Sequence, residues 1–114
     1  MESWEWPDGL DALVAAPDHH TLLFENDDVR VLDARVPFGE VVPVHTHRWP
    51  GVLYIIRTGH FVRRNPDGEV LVDSRASGIV LHPGTAVWTP AVPPHTLENA
   101  DTAEIHMIAV ELKQ

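Results

Sequence analysis

The sequence predicts an all-β domain, an antiparallel sandwich or barrel preceded by a short N-terminal helix. Ten short segments are rich in β-branched residues or alternate between apolar and polar residues. Turn pairs such as Asn26-Asp27, Asp67-Gly68 and Pro83-Gly84 separate them. Many short strands joined by tight turns are typical of antiparallel sandwiches and barrels.

The helix is expected between Asp8, as its N-cap, and Pro17, which cannot continue it. After it, helical periodicity disappears and only strands are predicted. The ten predicted strands are residues 21–25, 29–36, 41–47, 52–58, 60–64, 69–74, 78–82, 86–89, 95–99 and 103–112.

Composition excludes several classes of function. The 114 residues, 44% of them hydrophobic, are expected to form one domain, 1–114. A net charge of −9 without a Lys or Arg cluster argues against nucleic acid and anionic membranes as partners, which leaves small molecules or proteins. The absence of cysteine excludes disulfides and thiolate chemistry. No segment approaches the ~20 apolar residues of a membrane span, and the acidic N-terminus does not resemble a signal peptide, so a cytoplasmic location is expected.

Two histidine-containing stretches carry the candidate chemistry. In the first, Gly39 is followed after five residues by His45, then by His47, and the stretch closes at Gly59. Side chains at positions i and i+2 of a strand share a face, so the two imidazoles are expected to project together. The second stretch runs from Gly84 through Pro90 to His95 and ends at Asn99.

Together, these stretches resemble the two motifs of the cupin superfamily, and the chain is similar to a small single-domain cupin of the conserved-barrel type. Val92 stands where the family usually has a glycine. The resemblance implies a double-stranded β-helix, or jelly-roll, barrel. It also implies a divalent transition metal, Fe, Ni, Zn, Mn or Co, held by His45, His47 and His95.

The family's usual fourth ligand, a glutamate, falls at Val52 in this sequence, and valine cannot bind a metal. We therefore expect Val52 to face inward and no Asp or Glu to reach the metal. Three neutral histidines leave positions open for water and an anionic ligand. Cysteine dioxygenase and the gentisate-type and diketone-cleaving dioxygenases are similar in using three histidines for iron.

The alternation of side chains between the two faces of a strand predicts which other residues face this site. If Val52 faces the metal, Tyr54 does too, and its hydroxyl is the candidate catalytic group. Trp88 is expected in the core, and Arg48, Trp49 and His106 receive no role from the sequence. The remaining expectation concerns His19 and His20, which we place at the surface, in a loop after Pro17.

Three classes of function follow from this pattern. The first is a metal-dependent enzyme acting on a small anionic or carbonyl-containing molecule, with a three-histidine dioxygenase as the leading case. The second is a metal-dependent isomerase, lyase or hydrolase. The third is a non-catalytic cupin that binds a small molecule.

A homodimer is also expected. A small sandwich has strand edges that need protection, and the N-terminal segment carries Trp4 and Trp6, which a monomer has little reason to display. Many cupins are similar in forming two-fold dimers. We therefore expect Trp4 or Trp6 in or beside the interface.

Overall fold

Two antiparallel β-sheets pack face to face in the structure, a computed structural model that describes residues 4–113. A 3-10 turn at Asp8–Leu10 and two short helices accompany nine strands. The helices are α1 (Ala12–Ala15) and α2 (Ser74–Ser77). The strands are β1 (His20–Glu25), β2 (Val29–Val36), β3 (Val41–His47), β4 (Gly51–Arg57), β5 (Phe61–Arg64), β6 (Val70–Asp73), β7 (Ala86–Thr89), β8 (Val92–Asn99) and β9 (Ile105–Leu112).

The strand order confirms the predicted jelly roll, or double-stranded β-helix. One sheet has the order β1-β2-β9-β4-β7 and the other the order β3-β8-β5-β6. From β2 to β9 the chain crosses between the sheets at every connection except that between β5 and β6. Consecutive strands therefore face each other across the interior, and β1 extends one edge of the five-stranded sheet.

One predicted strand, residues 78–82, is absent from the described part of the chain. Asp73 ends β6 and caps α2, because its carboxylate accepts hydrogen bonds from the backbone N–H groups of Arg75 and Ala76. Gly78 ends α2 in the left-handed conformation, with φ +69°. Helix α2 thus leads the chain away from the edge strand β6. Residues 78–82, which the sequence predicts as a strand, lie in the loop that follows α2.

The N-terminal helix is shorter than predicted, and its N-cap is Asp11 rather than Asp8. Asp11 directly precedes the first helical residue, and its carboxylate accepts the backbone N–H of Leu13 at 3.0 Å. Asp8 instead lies inside the 3-10 turn. No helix in residues 4–113 is long and apolar enough to cross a membrane.

The interior between the sheets is apolar and is covered at one end by the N-terminal segment. Ala12 packs with Leu32 and Ala109, whereas Ala16 joins Val36 and its neighbours in a second cluster. Small alanine side chains let α1 lie close to the sheets. The site described next lies among these clusters.

Candidate metal centre

Four histidines converge inside the barrel from three strands. His45 and His47 project from β3, and His45 pairs directly with His95 on the neighbouring strand β8. His20, the first residue of β1, approaches from the opposite sheet. The ring centroid of His45 lies 5.0 Å from that of His20, 5.0 Å from that of His47 and 4.2 Å from that of His95.

The nitrogens of three of these rings lie close enough together to bind one metal ion. One ligand nitrogen from each of His20, His45 and His47 lies within 4.8 Å of the other two. His95 is outside this group but packs against it, with its ring centroid 5.8 Å from that of His47. The structure therefore brings the three sequence-predicted histidines together and adds a fourth.

Each ring is oriented by a hydrogen bond at Nδ1. The Nδ1–H groups of His45 and His95 donate to the carbonyls of Pro43 and Pro93, both at 2.7 Å. His20 donates in the same way to Ala16 at 3.0 Å. His47 donates from Nδ1 to a carboxylate oxygen of Glu111 at 2.9 Å.

A neutral imidazole that carries its proton on Nδ1 has its lone pair on Nε2. The Nε2 atoms of His20, His45 and His95 are thus free to accept a metal or a proton.

Burial keeps three of these rings neutral. Desolvation, followed by the repulsion of neighbouring imidazoles, lowers the pKa of His45 to about 2. Burial is also the main cause that lowers the pKa of His95 to about 3 and that of His20 to about 4. Neutral imidazole is the form that coordinates a metal.

His20 is the residue that sequence reasoning placed wrongly. It is only 8% exposed and lines the cavity, so the expected surface position is wrong, and His19 is half-buried, with a hydrogen bond to Glu40. Strand β1 begins one residue earlier than predicted, and His20 pairs with Ala34 on the inner face of β2. Strand β1 has a bulge between Leu22 and Phe24, so the sequence of this strand alone gives no alternation that would have placed His20 inside.

A chain of charged side chains begins at Nδ1 of His47. Glu111, buried on β9, accepts hydrogen bonds from both His47 and Arg30. Arg30 reaches on to both carboxylate oxygens of Asp11, at 2.9 and 3.0 Å. The single guanidinium of Arg30 thus lies between two carboxylates and pairs with both.

The parity of β4 is the reverse of the one predicted, so Tyr54 does not face the histidines. Gly51 pairs with Glu111 and Leu53 with Ala109, which places the residues of odd number on the inner face. Tyr54 is 45% exposed and is not among the cavity-lining residues. Val52 pairs with Val110 and Trp88 on the outer face, so its expected inward position is wrong as well, although it borders the cavity. The predicted inward position of Tyr54 is therefore wrong.

Gly51 and Glu111 form a close pair between β4 and β9 beside the site. A Cβ at this position would overlap the backbone carbonyl of Val110, so β4 and β9 come together more closely than a side chain allows. Glu111, the partner of Gly51 on β9, lies next to His47. Its carboxylate binds Nδ1, so Glu111 supports a histidine, and no Asp or Glu in residues 4–113 belongs to the group of candidate ligand nitrogens.

The histidines line one side of a cavity of about 130 Å³. Its other walls are mainly apolar and include Val36, Val42, Phe61, Leu97, Ile105 and Met107. Arg63 on β5 also lines it, and its Nε atom is buried without a hydrogen-bond partner. Sequence reasoning did not identify this arginine.

The residues left without a role from the sequence lie at the edges of the site or outside it. Trp49 lines the cavity, with the guanidinium carbon of Arg30 5.0 Å from its ring centroid and that of Arg48 at 5.6 Å. His106 lies on the outer face of the five-stranded sheet, where Nε2 lies 3.1 Å from Asp33. Trp88 is 62% exposed, so its expected core position is wrong.

Comparison with known proteins identifies the fold. No protein-family model and no curated protein sequence matches the chain. A cupin domain from Bordetella pertussis Tohama I matches in structure with TM-score 0.66 and 24% identity, over 83% of this chain and 92% of that one. An RmlC-like cupin family protein with a double-stranded β-helix fold from Methanocaldococcus jannaschii gives 0.56 and 17%, over 98% and 90%.

The polyketide cyclase RemF from Streptomyces resistomycificus gives a TM-score of 0.55 and 20% identity, over 88% of this chain and 68% of that one. Structural similarity at these low sequence identities establishes the fold alone. The chemistry has to be inferred from the residues of the site.

Proposed function

We propose, on the premise that this chain is a small cupin in fold, that it binds one divalent transition metal and is an enzyme. Its substrate is a small anionic or carbonyl-containing molecule. The observation that supports this proposal is the common orientation of four histidine rings, each of which donates a hydrogen bond from Nδ1 to a carbonyl or carboxylate oxygen. Metal-binding histidines characteristically donate their second ring nitrogen to a carbonyl or carboxylate in this way.

His20, His45 and His47 are the first choice of ligands because their nitrogens already lie within 4.8 Å of one another. His95, expected as a ligand from the sequence, stays a proposed ligand beside them. A set of neutral imidazoles suits Fe, Ni, Zn or Co better than Mn, which prefers oxygen donors.

A metal bound here would supply a Lewis acid that polarises a carbonyl or carboxylate oxygen of the substrate. The chain's own residues provide the setting. The mainly apolar walls of the cavity offer water few hydrogen-bond partners, and a site with little water strengthens electrostatic interactions inside it. Glu111 orients His47, and the prolyl carbonyls orient His45 and His95.

Among the reaction classes, a three-histidine dioxygenase remains the leading proposal, because a histidine triad leaves room for both a substrate and a second small ligand. A metal-dependent isomerase or lyase needs a proton-transfer group near the substrate. Tyr54, the residue expected to supply it, points away from the cavity. A non-catalytic cupin that binds a small molecule is the remaining alternative.

The test begins with metal analysis of protein purified without a nickel column. We expect about one metal per chain in the wild type, and a loss of most of it in His20→Gln, His45→Gln and His47→Gln. His106→Gln is the matched control, since this histidine lies on the outer face. The proposal would be overturned if the wild-type protein bound none of the five candidate ions, those of Fe, Ni, Zn, Mn and Co.

The reaction class is tested separately, by oxygen uptake of the metal-loaded protein with a panel of small carboxylic acids and diketones. Substrate-dependent uptake that disappears in His45→Gln supports the dioxygenase. Turnover without oxygen uptake would favour the isomerase or lyase, and ligand binding without turnover would favour the binding protein.

Other expectations from the sequence stay predictions. These are the single domain 1–114, the cytoplasmic location, the absence of nucleic-acid and membrane partners, and the homodimer.

A further inference from the structure

Arg63 is a cation inside the cavity without a counter-charge. It lies in the middle of the short strand β5 and lines the cavity. Its Nε is buried without a hydrogen-bond partner, and no carboxylate of residues 4–113 forms an ion pair with it. Burial without compensation lowers the pKa of this guanidinium.

Other arginines with buried or half-buried side chains in this protein are paired. Arg30 binds two carboxylates, and Arg64, the next residue after Arg63, binds Glu98 at 2.7 Å. An unpaired guanidinium inside a protein is costly unless something else compensates it. Arg63 therefore differs from its neighbours in having donors that are available to a ligand.

The sheet register places Arg63 next to the histidines. Arg63 pairs with Leu97 on β8, and His95 lies two residues before Leu97 on the same face of that strand. Diagonal neighbours of this kind are ~7–8 Å apart in a sheet. The guanidinium is close enough that its charge contributes to lowering the pKa of His95.

We propose that Arg63 binds the carboxylate of a small monocarboxylate ligand whose apolar body lies in the cavity beside the histidines. The planar fork of a guanidinium matches a carboxylate and donates two parallel hydrogen bonds to it. Apart from the histidines and Glu111, which is already bound by Arg30 and His47, the lining is mainly apolar. Arg63 therefore selects one negative group attached to an apolar body. This inference deepens the proposed function and rests on it for the position of the ligand next to the metal.

The size of the cavity limits the ligand. A volume of about 130 Å³ is comparable with the ~150 Å³ of an apolar cavity that binds benzene. A monocarboxylate of about six non-hydrogen atoms, such as butanoate, fits this space. A dicarboxylate would bring a second charge against apolar walls without a second cation.

The test uses metal-free protein, so it is independent of the metal. Calorimetric titration compares butanoate with butanamide, which has the same shape without the charge. For the wild type we expect butanoate to bind at least tenfold more tightly than butanamide. Arg63→Met is expected to lower butanoate affinity at least tenfold and to leave that of butanamide within twofold, while Arg63→Lys is intermediate because it lacks the fork.

Arg64→Met is the matched control, because its side chain pairs with Glu98 and does not line the cavity. It is expected to bind butanoate within twofold of the wild type. Thermal unfolding gives a second readout: butanoate raises the melting temperature of the wild type and not that of Arg63→Met.

Three results would overturn the proposal. They are equal affinity of the wild type for butanoate and butanamide, unchanged butanoate binding in Arg63→Met, and tighter binding of methyl phosphate than of butanoate. If Arg63→Met does not fold, the proposal is judged from two other measurements. These are the preference of the wild type for butanoate over butanamide and the butanoate affinity of Arg63→Lys. Failure of butanoate binding with normal metal uptake would refute this inference alone, whereas loss of metal uptake with normal butanoate binding would refute the metal centre.

Discussion

Glu111 accepts a hydrogen bond from Nδ1 of His47 at 2.9 Å, and its other oxygen is held by Arg30. The carboxylate therefore lies on the Nδ1 side of a proposed ligand, where it would orient that ligand without itself binding the metal. This contact would place a carboxylate near the proposed metal, whose other surroundings are histidines. On the proposed function, it would compensate in part for the glutamate that the cupin motif usually supplies at the place of Val52.

The first prediction follows from this contact. Glu111→Gln keeps the size of the side chain and removes its charge, so metal affinity is expected to fall about 10–100-fold, as for other partners of metal-binding histidines. Competition with a metal-binding dye measures this change. Glu104→Gln is the control, because Glu104 pairs with Arg35 and Arg57 on the outer face. Equal affinity of Glu111→Gln and wild type would contradict the proposed support role.

The second prediction concerns pH and the metal-free protein. His20, His45 and His95 have pKa values lowered to about 4, 2 and 3, against 6.5 in a model peptide. Below pH 6.5 the unfolded chain binds protons that the folded protein does not, so stability falls as pH decreases. Between pH 6 and pH 4 we expect each of these histidines to contribute about 1.4 kcal/mol per pH unit at most.

Urea unfolding at a series of pH values measures this slope. Acidic side chains with lowered pKa values, such as Asp11, add to it at lower pH. The contribution of one histidine is therefore isolated by comparing wild type with His45→Gln, whose slope is expected to be smaller by about one proton. Identical slopes in the two proteins would show that His45 is not buried in its neutral form.

The third prediction concerns the buried ion pairs of Arg30. Arg30 is 5% exposed and lies between Asp11 and Glu111, so Arg30→Met leaves two carboxylates without their cation. We expect a loss of about 3–5 kcal/mol in the free energy of unfolding. Arg35→Met, which breaks an exposed pair with Asp33, is the control and is expected to leave the urea midpoint nearly unchanged. Equal effects of the two substitutions would contradict the burial argument.

The fourth prediction tests the close approach of β4 and β9. Gly51→Ala would bring a Cβ against the carbonyl of Val110, so the strands must separate, at a cost of about 1–3 kcal/mol. Because Gly51 pairs with Glu111, metal affinity is expected to fall as well. Gly9→Ala is the control, since a Cβ there meets no atom within 4 Å. A stable Gly51→Ala variant with normal metal binding would be the contrary result.

The fifth prediction is the homodimer. One apolar row crosses all five strands of the larger sheet on its outer face, through Phe24, Val31, Val110, Val52 and Trp88. Five strands span about 20 Å, which suits a standard interface of ~800 Å² per partner. The face also carries both signs of charge, at Asp33 and Arg35, so a second copy meets no uniform repulsion there.

Sedimentation equilibrium at tens of micromolar is expected to give twice the chain mass of 12.7 kDa. Trp88→Ser is expected to weaken the dimer, whereas Val80→Ser, an exposed apolar residue outside the row, is not. Trp4 and Trp6, expected at the interface from the sequence, pack against each other with ring centroids 4.8 Å apart. Deleting residues 1–6 tests their part, and a monomer at these concentrations would contradict the dimer itself.

The sequence by itself determined the fold class and the neighbourhood of the site. Alternation and turn pairs located nine strands, because these patterns are local consequences of side-chain chemistry. The spacing of His45 and His47 placed two rings on one face of β3 for the same reason. His95 could be joined to them only through the resemblance to known motifs.

Only the tertiary structure decided which other residues meet at the cavity. His20 and Arg63 come from β1 and β5, and nothing in their local sequence shows that these strands border the same space. Tyr54 was misplaced because the register of β4 is set by its close pairing with β9 at Gly51, and a shift of one residue reverses every side chain. Local pattern fixes what a strand is, whereas pairing with distant strands fixes which of its faces is inside.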